Sequence, residues 1–243
     1  MLRPHAHRSL ALFERIRVIN LAKRRDRRRA VTREMAALGE HIDGDRLAFH
    51  TATRPEQLAG FPTIGARGCF LSHLSALQEA NRDGVSSLLI LEDDVAFSAG
   101  ETAAMVASLN ALAETPWGIF YGGSAIVQKS SPLTEALFDE PIMLAHFIAF
   151  TRPVIVRLVP YLEAMLERPA GSSDGGPMHV DGAYCWFRRS APDVCTFAAT
   201  PNVAHQRASA TDIHVRRGID GVPLLRQLLL PMRGIKNMLR AYD

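Results

Sequence analysis

The chain has 243 residues and a formal net charge of +3, and 47% of its residues are hydrophobic. This is an ordinary globular composition, with room for one large domain or two small ones. Its three cysteines, Cys69, Cys185 and Cys195, form no CxxC pair, which argues against a disulfide framework or a zinc site and favours a reducing compartment.

Membrane-spanning and secretory features are not expected from the sequence. No apolar run approaches the roughly 18 residues that span a bilayer. The N-terminus carries several arginines and lacks the unbroken apolar core of a signal peptide. The sequence therefore predicts a cytoplasmic protein.

Residues 16–21 predict a first strand, and a dense basic run follows at 23–29. The run could enter a helix and face phosphate groups, because cations and helix N-terminal amides both favour anions. A solvated helix face is the better interpretation for most of its arginines. A nucleic-acid arm is a third hypothesis, although no aromatic residue interleaves with the run to stack on bases. The helix is predicted over 27–38, with Gly39 at its C-terminal end.

A second strand is predicted over 47–53, followed by a helix that Gly65 and Gly68 precede and Gly84 ends. Two glycines before a helix indicate a ligand close to the backbone, but their spacing matches neither a dinucleotide-binding motif nor a P-loop. Ser72 and His73 lie on this helix. His73 is either a ligand-facing histidine or a hydrogen-bonded histidine of the core.

Residues 88–95, Leu-Leu-Ile-Leu-Glu-Asp-Asp-Val, organise the chain. A continuous apolar run is typical of a strand buried on both faces of a sheet. Burial of unpaired carboxylates is costly, so the acids are predicted at the carboxyl end of the strand, where open α/β sheets bind ligands. Carboxylates clustered there suit Mg²⁺ or Mn²⁺ bridging to a diphosphate. The alternative is a solvated junction between strand and loop.

The remaining predicted elements continue the alternation of strands and helices. Helices are predicted over 101–113, over 153–167 and from Asp181 onward, and strands over 117–123, 142–150 and 194–199. The segment 170–177 is either an active-site lid or an inert surface loop. The alternation predicts an α/β fold with a mostly parallel sheet flanked by helices.

The pattern of apolar and basic residues changes at the C-terminus. Residues 216–243 alternate apolar and basic side chains, as in an amphipathic helix that lies on a membrane surface or packs on the domain. We therefore expect a domain over 1–215 and a basic amphipathic helical extension over 216–243.

Four segments together resemble glycosyltransferase family 25, whose members make lipopolysaccharide core sugars and include the collagen galactosyltransferases. The matching residues are Ile19, Asn20 and Leu21 with Arg24 and Arg27; Gly68 and Cys69 with Ser72 and His73; the run from Ile90 to Val95; and Val180 and Asp181 followed by Pro201, Gln206, Asp212 and Ile213. His146 matches a further family histidine. The chain departs from the family pattern at Ala66 and Leu77, and residues 124–140 do not align.

The resemblance implies an A-type glycosyltransferase fold and an inverting transfer of a hexose such as galactose, with Mn²⁺ or Mg²⁺, from a UDP-sugar to a cell-surface glycan. It implies metal ligands at Asp94, Asp93 and His205, with Glu92 supporting them. The nucleotide would contact Asn20, Leu21, Arg24, Ser72, His73 and Asp93. Asp181 would be the catalytic base, with donor-sugar binding and helix capping as its alternative roles.

Two other classes of function are open from the sequence. A catalytically inactive family member could act as a binding or scaffold protein in glycan assembly. The basic run 23–29 could bind nucleic acid, with strong salt dependence. A peripheral position at the inner face of the cytoplasmic membrane would use the extension 216–243.

Overall fold

The computed structural model describes residues 10–42, 44–124 and 131–207. Within these residues the elements follow one another as β1 (Arg15–Asn20), α1 (Arg25–Ala37), β2 (Leu47–Thr51), α2 (Ile64–Asp83), β3 (Ser87–Glu92), β4 (Val95–Ala96), α3 (Ala99–Ala113), β5 (Ile119–Tyr121), β6 (Leu133–Ala136), β7 (Phe147–Thr151), α4 (Arg152–Glu167), α5 (Val180–Ser190), β8 (Thr196–Ala199) and β9 (His205–Gln206).

The main sheet has seven strands in the order β2-β1-β3-β7-β5-β8-β6. Strands β2, β1, β3, β5 and β8 run in one direction, and β7 and β6 run in the opposite direction. The predicted α/β fold with a mostly parallel sheet is thus confirmed. The reversal of β7 was not predicted, because a buried apolar strand has the same pattern in either direction.

Strand β3 explains the unbroken apolar run in the sequence. Leu88 and Ile90 belong to a core cluster with α2, α4 and α5, whereas Leu89 and Leu91 belong to a second cluster with α1 and α3. Successive side chains of a strand point to opposite faces, so both faces of β3 need apolar residues. The strand ends at Glu92, which leaves Asp93 and Asp94 in the following turn, as predicted.

Helix α2 begins earlier than predicted. Thr63 caps it, with its Oγ1 accepting a hydrogen bond from the Ala66 amide at 2.9 Å. Gly65 and Gly68 therefore lie inside the helix rather than before it. A Cβ at Gly68 would lie 2.8 Å from the Thr53 carbonyl oxygen. The close approach that requires this glycine is made by the chain after β2, not by a ligand.

Two predictions concern membrane-spanning segments and the C-terminal residues. None of the helices in residues 10–207 that the structure describes is long and apolar enough to cross a membrane. Asp212, Ile213, the predicted boundary at 215 and the extension 216–243 lie outside the described residues, so those predictions stay as they are.

Candidate active site

Asp93 is held rigidly at the carboxyl edge of the sheet. Strands β1 and β3 are parallel neighbours with Ile19 opposite Glu92, so both end at this edge. Asn20 Nδ2 donates to Asp93 Oδ2 at 2.7 Å, and Arg27 donates to Asp93 Oδ1 at 2.6 Å. Asp93 is 7% exposed, and both of its oxygens are engaged by protein donors.

Asp94 has a different environment. Its Oδ2 lies 3.5 Å from Arg27, and its Oδ1 is buried without a hydrogen-bond partner. Burial and then the charge of Glu92 raise the pKa of Asp94 to about 6; Asp93 adds to the rise and Arg27 opposes it. A partly buried carboxylate with an unmatched oxygen among other acids is a group that a bound cation would stabilise.

Glu92 joins the end of β3 to helix α2. Cys69 Sγ donates to Glu92 Oε1 at 3.6 Å, His73 Nε2 lies 3.5 Å from the same oxygen, and Gln206 Nε2 donates to Glu92 Oε2 at 3.3 Å. His73 is fully buried, and its Nδ1 lies 2.9 Å from the Tyr184 hydroxyl. His73 is thus a hydrogen-bonded core histidine that also adjoins the acid run.

Asp181 lies in the first turn of α5, two residues after His179, the N-cap residue. Asp181 is therefore not the N-cap residue of α5, although its carboxylate accepts from an amide of the first turn. Its Oδ1 accepts from the Gly182 amide at 2.9 Å and its Oδ2 from the Leu144 amide at 3.4 Å. Burial and Glu92 raise the pKa of the Cys69 thiol, and the charge of Asp181 adds to this effect, so Asp181 acts on the same cluster.

Three predicted nucleotide contacts have protein partners in this structure. Ser72 is fully buried, donates to the Gly68 carbonyl at 2.6 Å and accepts from the Thr53 amide at 2.8 Å, which fixes α2 against the chain after β2. Arg24 pairs with Asp26 at 2.9 Å and its amide donates to the Leu21 carbonyl at 2.8 Å. The nucleotide roles of Ser72, Leu21 and Arg24 remain predictions.

His205, the third predicted metal ligand, lies beside the acid run, but its side chain pairs with Glu101. Strand β9 pairs with β4, with His205 opposite Ala96. The exposed imidazole places Nδ1 2.8 Å from Glu101 Oε2. Its role as a metal ligand stays a prediction, with Glu101 as the partner that a metal would displace.

The site predicted from the sequence omitted two arginines. Arg27 contacts both Asp93 and Asp94, although the run to which it belongs was interpreted mainly as a solvated face. The Arg207 amide donates to the Asp94 carbonyl at 2.8 Å, and its guanidinium donates to the Asp93 carbonyl at 3.1 Å. Arg27 was part of the family resemblance, but no motif marked Arg207, which reaches the site only through the β4–β9 pairing.

Comparison with known proteins identifies the class of this domain. Residues 13–118 match the sequence model described as glycosyltransferase family 25 (LPS biosynthesis protein). The chain is 31% identical to probable inactive glycosyltransferase 25 family member 3 of Bos taurus, over 60% of this chain and 27% of that protein. It is 29% identical to procollagen galactosyltransferase 2 of Homo sapiens, over 49% of this chain and 22% of that protein.

The matched region includes the acid run at the end of β3 and is similar to the domain that defines this glycosyltransferase family. The similarity of residues 13–118 to glycosyltransferase family 25 confirms the resemblance seen in the sequence. The chain spans about a quarter of the length of the curated relatives it matches, between 22% and 27%.

Solved structures give only distant similarity. A glycosyltransferase involved in the glycosylation of the major capsid of PBCV-1 aligns with a TM-score of 0.39 and 12% identity over 76% of this chain and 91% of that chain. A mannose-1-phosphate geranyltransferase from Thermus thermophilus aligns with a TM-score of 0.36 and 15% identity over 76% of this chain and 58% of that one.

Proposed function

We propose that the protein is an inverting, metal-dependent glycosyltransferase of the A-type fold. It would move a hexose such as galactose from a UDP-sugar to a cell-surface glycan such as lipopolysaccharide. The observation that carries the proposal is the buried, unpartnered Oδ1 of Asp94, next to Arg27 at the carboxyl edge of the sheet. The similarity of residues 13–118 to glycosyltransferase family 25 supports the transfer reaction.

The residues at this edge fit a divalent cation. Asp94 offers a hard oxygen ligand of the kind that Mg²⁺ and Mn²⁺ prefer. Asp93 fits less well as a direct ligand, because Asn20 and Arg27 already occupy its two oxygens. In this proposal Asp94 holds the metal and Asp93 positions Asn20 and Arg27 around it. When bound, the metal would neutralise the charge of the leaving diphosphate.

Arg27 supplies a fixed positive charge at the same edge. Its guanidinium lies between Asp93 and Asp94 and is tied to the first of them at 2.6 Å. A positioned cation that needs no reorganisation stabilises charge as it develops on a leaving group. We therefore assign Arg27 to the diphosphate, in addition to the contacts predicted for Asn20, Leu21 and Arg24. Ser72 and His73 are fully buried and would support the site from within the domain.

Asp181 is the base of the proposed reaction. Inversion needs a group that takes the proton of the acceptor hydroxyl as its oxygen attacks the anomeric carbon and the bond to the diphosphate breaks. The amides of Gly182 and Leu144 orient the Asp181 carboxylate. Binding of the donor sugar remains the alternative role for this residue.

The test is the variant Asp94→Asn, assayed for UDP release and sugar transfer from UDP-galactose and related donors with Mn²⁺. We expect a loss of at least about 100-fold, the size of effect seen when a charge-stabilising group is removed from an active site. Asp193→Asn is the matched control, because Asp193 is an exposed acid paired with Arg157 at 2.6 Å away from the acid run. Undiminished turnover of Asp94→Asn in EDTA would refute the proposal.

A second candidate function follows from the relative described as probably inactive, to which the chain is 31% identical. An inactive protein acting as a scaffold in glycan assembly would show no metal-stimulated release of UDP from a UDP-sugar and no thermal shift with UDP and Mn²⁺. The same assay separates the two, because only the enzyme turns over.

We also propose that the protein acts in the cytoplasm at the inner face of the membrane, through the extension 216–243. The basic amphipathic pattern of that segment supports the proposal. The test is sedimentation with anionic vesicles: the full chain should bind and a chain ending at residue 215 should not. Equal binding of the two chains would contradict it.

A further inference from the structure

A cysteine, a histidine and a glutamate converge next to the acid run. Cys69 and His73 are four residues apart on α2, so both lie on the same helix face. Glu92 ends β3 directly opposite that face. The thiol sulfur, one imidazole nitrogen and one carboxylate oxygen of these residues all lie within 4.8 Å of one another.

Two of the three distances between these atoms match a tetrahedral metal site. Zinc with bonds of about 2.0–2.3 Å places neighbouring ligand atoms about 3.3–3.8 Å apart. Cys69 Sγ and His73 Nε2 lie 3.6 Å and 3.5 Å from Glu92 Oε1. The donors therefore need only small adjustments to close around one cation.

The environment of His73 favours the same interpretation. The imidazole is fully buried, and Nε2, the nitrogen that faces Cys69 and Glu92, makes no well-formed hydrogen bond in this structure. Nδ1 lies 2.9 Å from the Tyr184 hydroxyl. A partner on the second ring nitrogen is what orients a metal-binding histidine and leaves the other nitrogen free to bind.

The surrounding charges also favour a cation. After burial itself, the charges of Glu92, Asp181 and Asp94 raise the pKa of the Cys69 thiol well above its ordinary value. The same negative field attracts a divalent metal, which would take the place of the thiol proton and release it to solvent.

The geometry points to a binding site for a thiophilic divalent cation, Zn²⁺ or a metal of similar preference, formed by Cys69, His73 and Glu92. This site differs in chemistry from the oxygen ligand at Asp94, because a thiolate and an imidazole select zinc over magnesium. The sequence argued against a zinc site since no CxxC pair is present. The ligands of this site come from a helix and from the end of a strand, so they form no CxxC motif in the sequence.

The test uses the full chain, reduced and freed of metal with a chelator, and titrated with Co²⁺ in excess Mg²⁺. We expect one equivalent of Co²⁺ to produce a thiolate-to-cobalt charge-transfer absorption in the near ultraviolet, and Zn²⁺ to abolish it. Cys69→Ser should remove the absorption. Cys185→Ser and Cys195→Ser should retain it, since both are free cysteines outside the cluster. Asp94→Asn should also retain it, which separates this site from the proposed metal at Asp94.

A second measurement on the wild-type chain covers the case in which Cys69→Ser does not fold. Alkylation followed by peptide mass mapping should show that Zn²⁺ slows modification of Cys69 at least about tenfold relative to Cys195, because a metal-bound thiolate is shielded. An absorption that persists in Cys69→Ser, or equal alkylation of Cys69 with and without Zn²⁺, would overturn the proposal.

Discussion

Asp93 and Asp94 are adjacent residues, but their carboxylate oxygens have different hydrogen-bond partners. Asp93 accepts two short hydrogen bonds, one from the side-chain amide of Asn20 and one from the guanidinium of Arg27. Asp94 has a buried oxygen without a partner and a pKa raised to about 6. The fold therefore stabilises one carboxylate and leaves the other in need of a counter-charge, which is the arrangement expected where a cation binds.

The first stability prediction concerns Asp94→Asn in the absence of divalent metal. The folded pKa of about 6 lies above the ordinary value of 3.8, so the charged form destabilises the folded state. This penalty is absent below about pH 4 and complete above about pH 6. We expect the variant to be more stable than wild type by about 2–3 kcal/mol at pH 7.5, and equal to it at pH 4. Urea unfolding in EDTA at the two pH values measures the difference.

The control for that experiment is Asp93→Asn. This variant places an amide group against the donors Asn20 and Arg27, so a charge-assisted hydrogen bond is lost at a buried position. We expect a loss of about 2–4 kcal/mol at pH 7.5. If both variants shift stability in the same direction at pH 7.5, the contrast between the two carboxylates is wrong.

At the scale of the elements, the spacing of apolar residues and the positions of helix-ending residues predicted most strands and helices. The run at 88–91 predicted β3 because it is buried on both faces, and Gly84 marked the end of α2 through its left-handed backbone. Strand β6 was not predicted: it lies at the sheet edge and alternates a half-buried, buried, exposed and buried residue over only four positions. Short edge strands carry too few residues for a clear period.

Helix α2 offers a prediction at this scale, because it carries Cys69, Ser72 and His73 together. A Cβ at Gly68 would lie 2.8 Å from the Thr53 carbonyl, a backbone atom that cannot move aside easily. We expect Gly68→Ala to destabilise the protein by about 1–3 kcal/mol and to lower activity by shifting these side chains away from Glu92. Thermal unfolding and the UDP-release assay measure the two effects.

Gly100→Ala is the matched substitution in helix α3, where an added Cβ meets no atom within 4 Å. Alanine has the higher helix propensity, so this variant should be neutral or more stable by up to about 1 kcal/mol. A Gly68→Ala protein as stable as Gly100→Ala would show that the contact with Thr53 does not constrain the helix.

For the whole molecule, the site depends on contacts that the linear sequence does not reveal. The position of the acids at a strand end could be predicted from burial alone, since unpaired carboxylates do not stay in a sheet interior. The hydrogen bond between Tyr184 and His73 and the approach of Arg207 to Asp93 span more than 100 residues each. No local pattern specifies such pairs, so sequence reasoning named the acids and missed two of the groups that surround them.

The last prediction concerns binding by the complete chain and separates the hypotheses about function. A ligand present at 100 times its dissociation constant stabilises the folded state by about 2.7 kcal/mol, which for a chain of this size corresponds to a melting-temperature rise of about 5–10 °C. We expect UDP with Mn²⁺ to raise the melting temperature by this amount in wild type and in Asp181→Asn. We expect no rise in Asp94→Asn. Scanning fluorimetry measures it.

The same panel should include duplex DNA at low salt and UDP with EDTA. The transferase hypothesis predicts a shift with UDP and Mn²⁺, whereas the scaffold hypothesis predicts none. Nucleic-acid binding through residues 23–29 predicts a salt-sensitive shift with DNA instead. A DNA shift larger than the UDP shift would reject the diphosphate site.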